Sequence, residues 1–174
     1  QTIKTEGRVI AGLHERPEWE SETTANTLDF SRLEDAELKS LLQKTLADAT
    51  LQPVFNTDFN RLSRVLQFSD GTQCEFAVDR GKIIAGSHEA TIAELELEMI
   101  AGNAAALFDF VRSLLEHVPL KLARDSKAAR GFALALGTVT KPLKAPQAAL
   151  DKHMTAQQGF VAIATACMDH LMAN

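Results

Sequence analysis

Glu94-Leu95-Glu96-Leu97-Glu98 alternates charge and hydrocarbon without interruption. In a strand, alternate side chains point to opposite faces. Glu94, Glu96 and Glu98 then share one face, and Leu95, Leu97 and Met99 share the other. Neighbouring carboxylates on that face lie about 7 Å apart. At an effective dielectric near 20 each neighbouring pair repels by roughly 2.4 kcal/mol, and in bulk water by roughly 0.6 kcal/mol. A solvent-facing strand tolerates the smaller cost. A strand lining an enclosed site does not, unless cations sit among the carboxylates. Rows of oxygen ligands suit Mg²⁺, Mn²⁺ or Ca²⁺. The acidic face therefore either solubilises the outside of a sheet or looks into a cation site.

Working outward, the pattern is mostly antiparallel. Residues 2–6 alternate and predict a strand, 7–12 a connection, and 16–23 a second strand. Leu38, Leu41, Leu42 and Leu46 have helical spacing, which predicts a helix over 33–46. A short strand at 51–55 and a longer one at 58–68 lead into Ser69-Asp70-Gly71-Thr72, a hairpin turn of the Asp-Gly type. The return strand, 73–79, has Cys74, Phe76 and Val78 on its apolar face. Asp79-Arg80-Gly81-Lys82 reads as another turn, after which 82–86 and 91–99 continue the meander.

Asn103 is a helix N-cap, and Leu107, Phe110, Val111, Leu114 and Leu115 mark the helix behind it. Ser126 caps a helix over 127–136. Composition changes at Gly137, and Pro142 and Pro146 with two lysines make 140–147 a linker. Thr155-Ala-Gln-Gln158 matches a capping box. Phe160, Ile163, Ala164, Cys167, Met168 and Leu171 then form the stripe of a last helix, which has no visible partner and reads as the start of a second domain.

Composition bounds the class. Hydrophobic content of 45% and charged content of 24% are those of a globular protein. A net charge of −5 argues against a dedicated nucleic-acid binder. No apolar run approaches the roughly 18 residues of a membrane span, and no signal-peptide pattern is present. Cys74 and Cys167 lie in apolar patterns and read as buried free thiols, which places the chain in the reducing cytoplasm. Gln1 enters directly on a strand-like run, as in a fragment whose native N-terminus is missing.

Parity sorts the charges. Lys4 shares a face with Thr2 and Glu6; Arg16 sits with Glu18 and Glu20; Arg61 sits with Ser63 and Gln67; Asp79 sits with Glu75. Several strands thus have one apolar face and one face carrying both signs of charge. A closed barrel with a charged lumen has this pattern, and the helices at 33–46, 103–117 and 127–136 are expected on its apolar outer wall. Mixed charge in a lumen fits a polyanion held by Lys and Arg, with a divalent metal bridging it to carboxylates. An internal ion-pair network without ligand fits it equally.

Six motifs in order then carry a resemblance: Thr2-Ile-Lys4, Gly12-Leu-His-Glu-Arg16-Pro-Glu18-Trp-Glu20, Phe55-Asn-Thr-Asp-Phe-Asn-Arg61, Val78-Asp79, Glu94-Leu-Glu96-Leu-Glu98 and Ser126-Lys127-Ala-Ala-Arg130-Gly-Phe. Residues 1 to about 137 resemble the later two-thirds of a CYTH domain, the triphosphate tunnel metalloenzyme family, and are most similar to its bacterial inorganic triphosphatase type, where a CHAD domain follows. Residues 138–174 resemble the linker and first helix of CHAD.

The resemblance implies an α+β fold: an antiparallel β-barrel, the triphosphate tunnel, with packed helices, incomplete at its N-terminus, plus a C-terminal helix. It implies Lys4, Arg61, Lys127 and Arg130 as phosphate contacts, with Arg16 and Glu18 at tunnel parity. Glu94 and Glu96 would hold Mg²⁺ or Mn²⁺, with Asp79 orienting metal or attacking water, and Glu98 falls one step past that pair. Lys4, Arg61, Asp79 and Lys127 are the implied catalytic set. The parent would hydrolyse inorganic tripolyphosphate, or another triphosphate, to pyrophosphate and phosphate. The family's Glu-x-Glu-x-Lys strand is absent, so turnover is expected of the parent rather than of this fragment. Adenylate cyclase, thiamine triphosphatase and a non-catalytic polyphosphate-binding module are the alternatives. Exposed strand edges in a truncated tunnel favour a homodimer; no nucleic-acid or membrane partner is implied.

Overall fold

A computed structural model describes every residue except 6, 11–12, 24–27, 48, 124, 139–141 and 173, with the backbone alone at 8–10 and 13. In chain order the elements are β1 (Thr2–Lys4), β2 (Arg8–Ile10), β3 (Leu13–Glu15), β4 (Glu18–Glu20), a 3₁₀ turn (Phe30–Arg32), α1 (Ala36–Leu46), β5 (Asn56–Gln67), β6 (Gln73–Ala85), β7 (His88–Ala101), α2 (Ala104–Leu115), α3 (Lys127–Leu136) and α4 (Ala156–Met172). They fall into two units, Gln1–Gln52 with Pro142–Asn174, and Pro53–Lys141.

In the first unit β1 pairs with β4, and β2 pairs with β3 inside that pair. Lys4 lies opposite Glu18 and Ile3 opposite Trp19. Asp35 caps α1 by accepting from the Leu38 amide at 2.9 Å. The predicted capping box starts α4: Thr155 Oγ1 accepts from the Gln158 amide, and the Gln158 side chain accepts from the Thr155 amide. Leu143 is tied to the end of that helix, its carbonyl 2.8 Å from His170 Nε2 and its amide 2.9 Å from Asn174 Oδ1.

The second unit is built on one antiparallel sheet in the order β5-β6-β7. Its turns follow the glycines: Gly71 and Gly86 both adopt positive φ, which an L side chain resists. One face is apolar. Leu62, Leu66, Cys74, Phe76, Val78, Leu95 and Leu97 share it by register. α2 packs there, and the Phe110 ring meets Phe68 at 5.5 Å and Phe76 at 6.2 Å. Asn103 caps α2 by accepting from the Ala105 amide at 3.0 Å. The opposite face carries Arg61, Asp79 and Glu94 on one rung and buries Ala77, Ile83, Ala85 and Ile92 beside them.

α3 lies against this second face through the ion pairs described below, with Lys127 and Arg130 on one helix face turned to the carboxylates, as their phosphate-contact role implies, and not on the apolar outer wall. Its own Lys127 and Arg130 find carboxylates there, and Phe132 packs edge-on against Phe55 at 5.2 Å.

Other expectations are corrected. Asp79-Arg80-Gly81-Lys82 is not a turn; β6 runs straight through it. Gly81 lies opposite Phe59, where a Cβ would overlap the Asp58 carbonyl and the Phe59 backbone. The glycine marks close strand approach, not chain reversal. The segment 51–55 forms no strand, because Pro53 interrupts it and Phe55 is committed to α3. The expected connection at 7–12 contains β2, with 11–12 outside the described residues, as are Glu6 and the start of the linker at 140–141. The strand expected over 16–23 shrinks to Glu18–Glu20, and Pro17 separates it from Leu13–Glu15. Cys74 is buried, but Cys167 is exposed. The antiparallel α+β class holds: among the described residues the strands pair into antiparallel sheets of two, two and three strands, and no helix is long and apolar enough to cross a membrane.

Candidate metal and phosphate site

The site is assembled by register. Arg61, Asp79 and Glu94 are opposite one another on neighbouring strands, and Glu96 lies one rung on, opposite Ala77. The small Ala77 side chain, itself buried, leaves room above that rung for longer groups to converge. α3 supplies the rest. Ser126 caps it by accepting from the Ala129 amide at 3.2 Å. Lys127 and Arg130, one turn apart, then face the sheet together.

Asp79 is the centre, with a side chain 0% exposed. Arg61 grips it in two places, Nε to Oδ1 at 2.8 Å and Nη2 to Oδ2 at 2.7 Å, the fork geometry that strengthens such pairs. Arg61 Nη2 also reaches Glu96 Oε2. Lys127 Nζ touches Asp79 Oδ2 at 2.7 Å, Glu96 Oε1 at 2.8 Å and Glu94 Oε1. Arg130 Nη2 holds Glu94 Oε2, while its Nε is buried with no hydrogen-bond partner. Lys127 and Glu94 are mostly enclosed, at 14% and 15% exposure, whereas Glu96 is open at 46%. The cluster thus has a closed floor and an accessible rim.

Electrostatics follow the geometry. Hydrogen bonds from Arg61, reinforced by Lys127, hold the Asp79 carboxyl below its ordinary value against the opposing effect of burial. Burial pushes Glu96 upward, but Lys127 and Arg61 outweigh it and leave the group lowered. Burial pulls Lys127 downward, and its bonds to Asp79, Glu94 and Glu96 reverse that and raise it. The Asp79 hydrogen bonds raise Arg61 further above its already high value.

Asp79, Glu94 and Glu96 present one oxygen each within 4.8 Å of one another. Three hard carboxylate oxygens on neighbouring strands fit a hard divalent cation and not a soft metal. Glu98 is exposed and lies opposite Glu75, outside the triad. Lys4 and Arg16 belong to the other unit. Lys4 meets both Glu18 oxygens, at 2.9 and 2.8 Å, and Arg16 Nε meets Oε1 at 2.8 Å; the Lys4 bond foremost lowers the Glu18 carboxyl.

The family model for the CYTH domain matches residues 1–132. The chain belongs to the CYTH family. A protein named inorganic triphosphatase, from Haemophilus influenzae, is 42% identical to this CYTH chain over 139 residues, covering 76% of the chain and 37% of that relative. The chain therefore spans little more than a third of the relative's length.

Phe59 belongs to the site as well. Its ring lies 5.1 Å from Lys127 Nζ and 5.8 Å from Arg61 Cζ, under two cations of this CYTH site. The signal was available: Phe59 has the parity of Arg61, and Gly81 opposite it leaves the ring its space.

Proposed function

We propose that this chain is part of an inorganic triphosphatase that hydrolyses tripolyphosphate to pyrophosphate and phosphate. The observation that carries the reading is the convergence of Asp79, Glu94 and Glu96 beneath Lys127, Arg61 and Arg130. The name of the Haemophilus relative supports the substrate. Residues 1–137 are the CYTH part, and 138–174 the linker and first helix of a CHAD-like domain. The sheet of β5, β6 and β7 is part of the wall of a triphosphate tunnel. The two cysteines are free, which supports a cytoplasmic location.

Glu94 and Glu96 would hold the divalent metal, with Asp79 as the third oxygen donor. A divalent cation there would neutralise charge on phosphoryl oxygens and stabilise what develops in transfer. The protein's own groups do the rest. Three carboxylates and three cations balance one another in the cluster, so the rim has no net charge to repel a polyanion. Arg61, Lys127 and Arg130 would donate to phosphate oxygens. Lys4 on β1 and Arg16 just before β4, which share Glu18, would be phosphate contacts within their own unit. Asp79, held ionised by Arg61 and Lys127, would help to orient the metal or the attacking water.

The test is phosphate release from tripolyphosphate by the longer protein and by this chain, with Mg²⁺, with Mn²⁺ and with EDTA. Metal-dependent release is expected of the longer protein. Glu96→Gln should remove it, leaving thermal unfolding unchanged within a few degrees; full activity in that variant would sink the metal assignment. Tight, salt-sensitive polyphosphate binding without release would transfer the site to a non-catalytic binding module.

A further inference from the structure

We propose that Lys127 is the resident cation of the Asp79–Glu94–Glu96 seat, and that a divalent metal enters by exchange with its ammonium group. The inference rests on reading that triad as the metal seat. It comes from how the six carboxylate oxygens are divided. One oxygen of each group, Asp79 Oδ2, Glu94 Oε1 and Glu96 Oε1, points to Lys127 Nζ. The other three are taken by arginines: Asp79 Oδ1 by Arg61 Nε, Glu96 Oε2 by Arg61 Nη2, and Glu94 Oε2 by Arg130 Nη2. Arg61 Nη2 also reaches Asp79 Oδ2. The arginines grip the outer edge of the triad, and the lysine fills its middle.

A metal bound to the three inner oxygens needs about 2.0–2.6 Å to each. That space is the one the ammonium occupies at 2.7–2.8 Å from two of them. Two like charges do not share it. Lys127 is the group able to leave, because Arg61 and Arg130 keep the carboxylates aimed when it goes. It is the first residue of α3, so its side chain can swing without unwinding the helix, which Ser126 still caps. The Phe59 ring already lies 5.1 Å from Nζ and keeps its attraction for the ammonium as that group moves off the carboxylates. The lysine stays protonated throughout. The exchange turns it from a ligand of carboxylates into a free cation beside the metal, available to an anion.

The experiment is calorimetric titration of the 174-residue chain with Mn²⁺ alone, for the wild type and for Lys127→Met. Removing a competitor that fills the seat should tighten Mn²⁺ binding about tenfold or more. Equal or weaker binding by the variant overturns the exchange and leaves the metal seat standing. No binding by either protein overturns the seat, and the exchange with it. A second measurement needs no variant. Reductive methylation of the wild type, read by mass spectrometry, compares Lys127 with the open Lys82, 14% against 58% exposed. Saturating Mn²⁺ should raise Lys127 labelling severalfold relative to Lys82; an unchanged ratio overturns the exchange.

Discussion

Asp79 is the fully buried member of the cluster and the acceptor for two cations. Asp79→Asn keeps the volume and removes the charge. Breaking one partner of an enclosed pair typically costs about 3 kcal/mol, and urea unfolding of the variant should register a loss of that order. The same groups set an acid limb. Asp79 and Glu96 are lowered on folding, so their contribution is fully present above the unfolded value, near about 4. It is lost as pH falls through the lower folded values. Lys127 is raised, so its contribution is present below its unfolded value near about 10 and is lost only as pH rises beyond it. Urea midpoints measured in EDTA should therefore be flat through neutral pH and fall below about pH 4, less steeply in Asp79→Asn. The cluster's members were legible from strand parity and motif order. Its internal arrangement was not. Parity places Glu94, Glu96 and Glu98 alike, and only the register against Ala77 and Glu75 separates the members from the bystander.

At the scale of elements, β6 shows what a sequence hides. Gly81 within Asp79-Arg80-Gly81-Lys82 has the composition of a turn, and the chain continues as a strand through all thirteen residues. Local propensity loses to pairing, since both neighbours of that stretch hydrogen-bond to it. Gly81→Ala should be destabilising by about 2 kcal/mol, as overpacking usually is, and should shift the Phe59 ring seen by aromatic NMR resonances; a neutral effect would mean that the strands separate freely there. The helices were easier. Asn103, Ser126 and Thr155 each cap the helix that follows, because side-chain capping is a local interaction. Which sheet face α3 covers is a long-range matter, set by carboxylates more than thirty residues upstream.

For the whole molecule, the antiparallel α+β class was readable from alternation, hairpin signals and caps. Closure of a barrel was not, because it depends on pairing between strands far apart in sequence. Among the described residues the outer edges of β5 and β7 meet no further strand within their sheet. We propose that this chain pairs with a second copy through such an edge. Sedimentation should then give a concentration-dependent dimer, and a monomer at all concentrations would count against it. The sheet's order has a consequence in time as well. β6 is paired along both sides, whereas β5 and β7 are each paired along one. In heavy water its amides should be the last to take up deuterium, at a rate set by global opening. Those slow protons would serve as an internal clock for the loss of the whole sheet, one that ligands added at its charged face should slow.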